Sequence, residues 1–371
     1  MDMLYPAGLQ ARHNVPWHNV REFGATGDGQ TDDTAAIQDA LDALPEAGGA
    51  VIFPPGHYLC ETIRARSGVT FLGFSAWSYQ ASQKSTHNNG STVLSPLHGD
   101  LECLLDWRDC MGTRIVGLTL DGQEKGEGMH GILSCHGGME QNIAIEDCRI
   151  VRFSGSGVRL KKCWVWAVRR SLLGFNALDG LDASSSYDGW VIDNQFCGNG
   201  RAGVRGQGLA MVTLTANRIE WCRRAGILLG THYTDQIQIN GCNFDRNFGP
   251  AIEIEGGERC TTFAITGNLF RNNGWQRESE PELDCHVRLV RARGLTMTGN
   301  SLRGGTNDRG SETVSPSAAI RVQGLEDSVI SGNALYHAAM RQLIADGGGH
   351  TRTVIEQNPG SLQLAHGMEH P

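Results

Sequence analysis

The amino-acid sequence predicts an all-β protein, a single-stranded right-handed parallel β-helix of about ten coils with an N-terminal capping helix. Three observations predict this fold. A six-residue pattern recurs along the chain, each repeat holds a second short apolar strand, and 49 glycines occur with no collagen-like period. Glycine that is frequent but dispersed is typical of folds in which tight turns join many short strands.

The recurring pattern has the loose form I-T-G-N-x-F. Its copies begin at Ile145, Val168, Val191, Leu214, Ile239, Ile265, Met297 and Ile330. Successive starts are 23, 23, 23, 25, 26, 32 and 33 residues apart. Coils of this length that carry several short strands stack at the strand spacing of roughly 4.8 Å. No helical period interrupts them, which excludes an alternating strand and helix fold.

Asparagine recurs at one point of these repeats. It occupies Asn194, Asn217, Asn268, Asn300 and Asn333, while Cys148, Ser171 and Cys242 fill the same point elsewhere. Unrelated turn asparagines would not stay in register with the repeat. We therefore expect a ladder of stacked asparagine side chains that bond along the axis and cap the turns.

The N-terminal segment predicts a helix that closes one end of the stack. Ile37, Ala40, Leu41 and Leu44 make one apolar helix face. Thr31, Asp32 or Asp33 is placed to cap its N-terminus, and we expect Asp28, Asp32 and Asp33 to be structural. The stretches 20–44 and 48–59 resemble the opening of the pectate-lyase-like superfamily of β-helix proteins. That resemblance implies a first strand, a capping helix and a first coil.

Composition limits the partners and the compartment. The formal charge is −8, which argues against nucleic acid, and no stretch is long and apolar enough to span a membrane. Eleven cysteines without a CxxC pair are expected to be free buried thiols, and no metal or cofactor is expected. The first residues show no signal peptide, so free thiols favour the cytoplasm. Secretion after removal of a leader stays open, and the compartment is therefore unknown.

We divide the chain into an N-terminal extension (1–19), a capping helix and first coil (20–59), the β-helix (60–350) and a C-terminal tail (351–371). Two polar insertions, 75–90 and 304–317, are expected to be loops that border a groove or a neighbouring subunit.

The second strand of each repeat predicts a polar face. These strands begin at Gly157, Gly180, Gly203, Gly226, Ala251, His286 and Ala319. Because side chains alternate along a strand, their apolar pairs point inward and one column points outward. That column is predicted to contain Leu133, Arg159, Asp182, Arg205, Leu228, Glu253, Arg288 and Arg321. It is either a solvated face of weak ion pairs or an elongated polysaccharide groove.

Four carboxylates are candidate catalytic groups if the face is a groove. Asp182 and Glu253 lie three coils apart, roughly 14 Å, whereas the two catalytic carboxyls of a glycosidase lie roughly 5–9.5 Å apart. Glu253 with Glu255, or Asp179 with Asp182, fits that separation better. The sequence thus favours a glycoside hydrolase or transglycosidase.

Two further resemblances bear on activity. The run 176–184, NALDGLDAS, resembles the first catalytic motif of polygalacturonases, with one extra residue before Asp179. The consecutive Asp-Asp pair and the Gly-His-Gly motif of that family are absent. The segments PPGHYL, SGVTFLGFSAW, STVLSP and IVGLTLDG resemble the early coils of fructan fructotransferases. That resemblance implies a homotrimer that cleaves fructosyl bonds without a cofactor.

The arginines support an alternative activity. Arg159, Arg205, Arg288 and Arg321 can each bind a uronate carboxylate in bidentate fashion. A polysaccharide lyase or uronate epimerase would then use a nearby base. Candidates for that base or for substrate contacts are His130, His136, His232 and Tyr233. A third possibility is a glycan-binding β-helix without catalysis.

Overall fold

A computed structural model of the chain describes residues 17–75, 91–136, 140–257, 259–275 and 280–363. Its strands form three parallel sheets, and consecutive strands of the chain belong to successive sheets. Each strand pairs with the equivalent strand of the next coil, for example Val191 with Leu214 and Phe196 with Ile219. The predicted parallel β-helix is confirmed, and its coil is right-handed, as crossovers between parallel strands almost always are.

The strands are numbered in chain order. Sheet A contains β1 (Trp17–Asn19), β3 (Gly49–Ile52), β6 (Val69–Leu72), β9 (Arg114–Val116), β12 (Glu140–Glu146), β15 (Trp164–Arg169), β18 (Tyr187–Ile192), β21 (Ala210–Thr215), β24 (Thr234–Asn240), β27 (Cys260–Thr266), β30 (Arg293–Thr298), β33 (Val329–Ser331) and β36 (Val354–Glu356). Sheet B contains β2 (Asp28–Asp32), β4 (Gly56–Cys60), β7 (Thr92–Pro96), β10 (Thr119–Asp121), β13 (Arg149–Val151), β16 (Leu172–Gly174), β19 (Gln195–Cys197), β22 (Arg218–Glu220), β25 (Asn243–Asp245), β28 (Leu269–Arg271), β31 (Ser301–Arg303) and β34 (Ala334–Tyr336). Sheet C contains β5 (Ile63–Arg64), β8 (Cys103–Asp106), β11 (His130–Cys135), β14 (Val158–Lys161), β17 (Leu181–Asp182), β20 (Ala202–Gly206), β23 (Ala225–Gly230), β26 (Ile252–Glu255), β29 (Cys285–Val290), β32 (Ala318–Gln323) and β35 (Gln342–Asp346).

The capping helix α1 (Thr34–Asp42) closes the N-terminal end, as predicted. Ile37, Ala40 and Leu41 are fully buried against the first coil. Asp33 occupies the N-cap position, but its side chain accepts hydrogen bonds from the backbone N–H groups of Thr26 and Gly27 instead of capping the helix. It organises the preceding turn, which confirms a structural role. Two 3₁₀-helices, Val20–Phe23 and Pro281–Leu283, complete the helical structure of the described ranges.

The core is a continuous column of apolar side chains inside the coil. Each sheet contributes one inward row, and the predicted inward pairs of sheet C, such as Val158 with Leu160 and Ile252 with Ile254, are buried. Phe244 and Phe270 stack in adjacent coils, with ring centroids 4.9 Å apart. All eleven cysteines are free, and only Cys135 is not fully buried. The prediction of free thiols that pack as small hydrophobic residues is therefore confirmed.

The predicted asparagine ladder lies in the turn from sheet A to sheet B. Asn217 Oδ1 accepts hydrogen bonds from the backbone N–H and the side-chain Nδ2 of Asn194, at 3.0 and 3.1 Å. Asn268 bonds in the same way to Asn300, and Asn300 to Asn333. These bonds satisfy the buried turn backbone of successive coils.

A second ladder, which sequence reasoning missed, lies in the turn from sheet B to sheet C. Asn176 Nδ2 donates to Asn199 Oδ1 at 3.0 Å, and Asn247 Nδ2 to Asn273 Oδ1 at 2.8 Å. The sequence signal was an asparagine three residues after the large inward side chain of the sheet B strand, as in Phe196 to Asn199. Asn176, which resembles a polygalacturonase motif residue, is thus a buried part of the scaffold.

The paired strands extend from Trp17, just before the expected capping helix and first coil (20–59), to Glu356, just beyond the expected end of the β-helix at residue 350. The insertion 304–317 is a loop after β31 and closes on itself through a bridge between Thr306 and Thr313. The insertion 75–90 lies outside the described residues except for Ser75. Among the described residues, no helix is long and apolar enough to cross a membrane.

Candidate functional site

The outward face of sheet C carries the predicted polar column in unbroken register. Strand pairing joins Leu133 to Arg159, Arg159 to Asp182, Asp182 to Arg205, Arg205 to Leu228, Leu228 to Glu253, Glu253 to Arg288, and Arg288 to Arg321. Asp106 and Arg64 continue it toward the N-terminus. Side-chain alternation and coil length were enough to predict this column.

Asp182 is held by two neighbours on the face. Arg205 Nη1 lies 3.0 Å from Asp182 Oδ2, and the hydroxyl of Ser184 donates to Asp182 Oδ1 at 2.6 Å. The second guanidinium nitrogen of Arg205 donates to Gln207 Oε1 at 2.8 Å. Asp182 therefore has a hydrogen-bond donor on each oxygen, which suits a group that orients an arginine.

Asp179 lies at the edge of the face and is fully buried. Arg201, on the next coil, binds both of its carboxylate oxygens, with Nε 2.9 Å from Oδ1. Burial raises the pKa of Asp179, while the guanidinium of Arg201 opposes that rise. The bidentate pair also raises the pKa of Arg201. Asp179 and Asp182 thus belong to two separate ion pairs and do not face each other across an open site.

Glu253 is fully buried between two arginines. Arg224 binds both carboxylate oxygens, at 2.8 and 3.1 Å, and Arg288 Nη1 lies 3.3 Å from Glu253 Oε1. Arg288 Nη1 is also 3.3 Å from Glu255 Oε2. Burial raises the pKa of Glu253, and the two arginines oppose that shift. These contacts weigh against a glycosidase pair, because arginines already bind both carboxylates.

Two arginines at the C-terminal part of the face keep donors available. Arg288 and Arg321 are strand neighbours, and the Nε atom of each is buried without a hydrogen-bond partner. Arg321 Nη2 donates to the backbone carbonyl of Pro281 at 3.1 Å, and among the described residues it makes no ion pair with a carboxylate. A pocket of about 220 Å³ lies beside them, lined also by Gln323 and Gln342 and, at its acidic side, by Glu282 and Asp346. Adjacent like charges with unused donors are suited to binding an anion.

His130 and Arg159 form a second cluster at the N-terminal part of the face. His130 is buried, and its Nδ1 accepts the backbone N–H of Ser156 at 2.9 Å. Its Nε2 lies 3.2 Å from Arg159 Nη1. Burial, with the charge of Arg159, lowers the pKa of His130, so the ring is neutral at neutral pH. A neutral imidazole has one lone pair, so His130 cannot accept hydrogen bonds from both Ser156 and Arg159. The guanidinium of Arg159 is therefore available to bind an anion.

His136, His232 and Tyr233 do not lie in this column. His136 follows β11, with Nε2 4.0 Å from a carboxylate oxygen of Asp109. His232 and Tyr233 are exposed in the turn from β23 to β24, where sheet C meets sheet A. The Tyr233 hydroxyl donates to Asp235 Oδ2 at 3.3 Å. They border the face instead of facing the arginines.

Sequence reasoning missed Arg201 and Arg224. Each stands two residues before the glycine that opens a sheet C strand, in the repeated tripeptide Arg-Ala-Gly. That repeated tripeptide was the sequence signal for these two arginines. Turn geometry decides which carboxylate each one reaches: Arg201 binds Asp179 of the preceding coil, and Arg224 binds Glu253 of the following coil.

The site as a whole is an elongated face of arginines and buried carboxylates. It can bind several acidic groups along the axis, because Arg159 and Arg321 are six coils apart in the column, roughly 29 Å at the strand spacing. Among the described residues, no group of three or more His, Cys, Asp or Glu side chains is arranged to hold a metal ion.

The molecule is thus a parallel β-helix protein with a charged outward face on sheet C. The family model for "rhamnogalacturonase A/epimerase, pectate lyase-like" proteins matches residues 17–247, more than half of the chain. The chain belongs to this family, which confirms the resemblance of its N-terminal segment to the pectate-lyase-like superfamily.

Individual relatives are proteins that modify alginate. The chain is 30% identical over 204 residues to mannuronan C5-epimerase AlgE6 of Azotobacter vinelandii, a match covering 50% of this chain and 22% of that protein. It is 30% identical over 201 residues to alginate lyase 7 of the same organism, covering 50% and 23%. The matched part is thus less than a quarter of each relative. The solved A-module of the AlgE6 epimerase superposes with a TM-score of 0.67 at 18% identity, covering 93% of this chain and 99% of the module, which shows the shared fold.

Proposed function

We propose that this protein acts on an acidic polysaccharide as a uronate epimerase or a polysaccharide lyase, with the chain bound along the outward face of sheet C. The observation that carries the proposal is the pair of arginines Arg159 and Arg321, which lie six coils apart in one continuous column and make no ion pair with a carboxylate in the described part of the chain. The relatives named as mannuronan epimerases and an alginate lyase support the same substrate class. They support this alternative better than the hydrolase or transglycosidase that the sequence favoured.

The chemistry follows from the acidity of the uronate C5 proton. That proton is α to the carboxylate, and its transfer to a general base beside the bound sugar places negative charge on the carboxylate oxygens. An arginine that binds those oxygens with two N–H groups stabilises the charge as it develops. Return of a proton to the opposite face gives the epimer, whereas loss of the substituent at C4 gives an unsaturated lyase product. Both reactions share the same first intermediate.

Named residues have distinct roles in this proposal. Arg159 binds the carboxylate of the reacting sugar, and His130 presents its Nε2–H beside it. Arg205, held by Asp182 and Gln207, lies two coils further and binds the next acidic group. Arg288 and Arg321 bind a distant sugar of the same chain. Asp179, Glu253 and Glu255 hold arginines in place and do not contact the reacting atoms.

The test is incubation of the purified protein with polymannuronate, alginate and polygalacturonate in deuterated water, with neutral fructan and glucan as controls. Deuterium at C5 of the polymer reports proton abstraction, and ultraviolet absorbance of an unsaturated uronate reports elimination. Exchange without absorbance identifies an epimerase, and exchange with absorbance a lyase. New reducing ends from a neutral polymer, or no change in any acidic polymer, would overturn the proposal.

Two variants locate the reaction on the face. Arg159→Gln should lower kcat/KM on the active polymer by about tenfold to a hundredfold, as expected when a charge-assisted hydrogen bond is lost. Arg321→Gln should mainly raise KM. Neither residue pairs with a carboxylate, so neither change leaves a buried charge. Arg303→Gln makes the same change on sheet B, where the guanidinium packs over the ring of Tyr336, and is the matched control that should leave kcat/KM unchanged. Equal losses in all three variants would place the reaction elsewhere.

A further inference from the structure

A strip of aromatic side chains runs along the corner where sheet C turns into sheet A. Trp164 and Tyr187 are strand neighbours at the start of β15 and β18, with ring centroids 5.6 Å apart. Tyr233 precedes β24, and its ring centroid lies 6.4 Å from that of Tyr187. In the coil between them, Ala210 pairs with Tyr187 on one side and with Asp235 on the other, so Tyr233 lies two residues before this register position. The three rings form one strip parallel to the helix axis.

The backbone is kinked directly after each of the first two rings. In β15 and β18 the next residue, Val165 or Asp188, has a positive φ, 56° and 54° respectively. This kink lets the following residue resume the inward row while Trp164 and Tyr187 face the corner. A β-branched residue such as Val165 rarely adopts this conformation. The same kink recurs in neighbouring sheet A coils at Asn142, Met211, Gln236 and Thr262, so it belongs to the coil as a whole.

The strip is open to solvent and continuous with the polar face. Trp164 is 37% exposed and Tyr233 is 38% exposed. The turn from β17 to β18 joins Asp182 of the face to Tyr187 of the strip. At the same corner, Gln207 accepts a hydrogen bond from Arg205 of the face and donates its backbone N–H to Ser184 Oγ. A polymer bound on sheet C can reach the strip without leaving the protein surface.

The surroundings of the strip are more basic than acidic. Lys161 and Lys162 are exposed just before Trp164, and the guanidinium of Arg259 lies 5.3 Å from the ring centroid of Tyr233. The acidic neighbours are Asp188 and Asp235, of which Asp235 is engaged by Thr261 and Tyr233. Aromatic rings offer apolar faces with a polar edge, and nearby cations attract carboxylates.

We propose that Trp164, Tyr187 and Tyr233 form a stacking subsite for the flanking sugars of the acidic polysaccharide whose reacting part lies on sheet C. This inference rests on the proposed function for the identity of the polymer. The pyranose rings stack on the exposed aromatic faces, while Lys161, Lys162 and Arg259 bind the uronate carboxylates. The subsite strengthens binding of long chains and takes no part in the reaction.

The test is calorimetric binding of long alginate chains and of short alginate oligosaccharides to the wild type and to two tryptophan variants. Trp164→Ala should weaken binding of long chains by about tenfold, because it removes one stacking contact between the protein and a sugar ring. It should leave affinity for short oligosaccharides, and kcat, within a factor of about two. Trp190→Ala is the matched control, because Trp190 is 39% exposed but faces outward from sheet A on the same strand as Tyr187.

Equal affinities of the wild type, Trp164→Ala and Trp190→Ala for long chains would overturn the subsite while leaving the proposed function intact. Binding of long chains that is lost in Trp164→Ala, but without turnover by the wild type, would support the subsite and overturn the enzymatic proposal. Absence of alginate binding by the wild type would overturn both for this polymer class. A changed oligomeric state of Trp164→Ala in light scattering would identify the strip as a subunit interface and overturn the subsite.

Discussion

At the scale of single residues, burial decides how ionisable groups behave in this fold. The imidazole of His286 is fully buried at the start of β29, where its Nδ1 accepts the backbone N–H of Asn273 at 3.4 Å. Burial lowers the pKa of His286 from 6.5 to about 3. The ring is thus a neutral member of the core that extends the second asparagine ladder.

This burial predicts a pH dependence of stability. Between the folded and unfolded pKa values the unfolded chain binds more protons, so the free energy of unfolding rises with pH across that window and falls on acidification. His286 should contribute a loss of about 2 kcal/mol between pH 6.5 and about pH 5. Urea unfolding of the wild type and His286→Gln at several pH values measures it. The variant should show a shallower slope, and an unchanged slope would contradict the prediction.

The exposed His232 supplies the control for that measurement. His232→Gln makes the same substitution at an exposed turn position and should keep the wild-type slope. Burial raises the pKa of the carboxylates Asp179 and Glu253, whereas hydrogen bonding lowers the pKa of Asp28. Asp28 is exposed, and hydrogen bonds from the backbone N–H groups of Thr31 and Gln30 lower its pKa to about 2.

At the scale of elements, the ladders join one coil to the next. Asn268 is fully buried, and its Oδ1 accepts the backbone N–H of Cys242 at 2.9 Å. Its Nδ2 donates to the carbonyl of Ile239 and to Asn300 Oδ1, at 2.9 and 3.0 Å. One side chain therefore satisfies buried groups of three coils. Repeat proteins depend on such nearest-neighbour contacts, because each coil touches only the next.

Replacement of this asparagine should be costly in proportion to the bonds lost. Asn268→Ala should lower the free energy of unfolding by about 3 kcal/mol, since several buried groups lose their partners. Asn268→Ser should cost less, because Ser171 fills the same ladder position and its Oγ accepts the backbone N–H of Cys148 at 3.1 Å. Denaturant unfolding measures both. The exposed Asn243 is the control, and a cost for Asn243→Ala equal to that of Asn268→Ala would refute the ladder's role.

At the scale of the whole molecule, the ends of the stack need protection. The first coil presents the edges of three sheets, and unpaired edges promote association with other chains. Helix α1 covers this end with Ile37, Ala40 and Leu41. The cap is thus a requirement of the open-ended topology, independent of any activity.

A charge in the cap should destabilise the protein and expose the first coil. Leu41→Asp should lower the free energy of unfolding by about 3–5 kcal/mol, through a lost core contact and a buried carboxylate. It should also produce larger particles in size-exclusion chromatography with light scattering. Ala35→Asp introduces the same charge at an exposed position of α1 and should leave both measurements unchanged. A monodisperse, fully stable Leu41→Asp protein would show that α1 is dispensable as a cap.

The amino-acid sequence by itself determined the coil, its first ladder and the direction of the face. These follow from local rules: alternation sends Val158 and Leu160 inward and Arg159 outward, and a nearly constant repeat length keeps Asn194 and Asn217 in register. The cap followed from the helical spacing of its apolar residues. No knowledge of distant contacts was needed for any of them.

Only the tertiary structure decided which charged groups are free. The sequence placed Asp182 and Glu253 on the face as candidate catalysts, but their partners come from neighbouring coils, Arg205 for the first and Arg224 for the second. Whether an arginine reaches a carboxylate depends on turn geometry and on the burial that makes an unpaired charge costly. The contact between Tyr187 and Tyr233 likewise joins rings that lie two coils apart. Such relations join residues more than twenty positions apart, where local sequence rules carry no information.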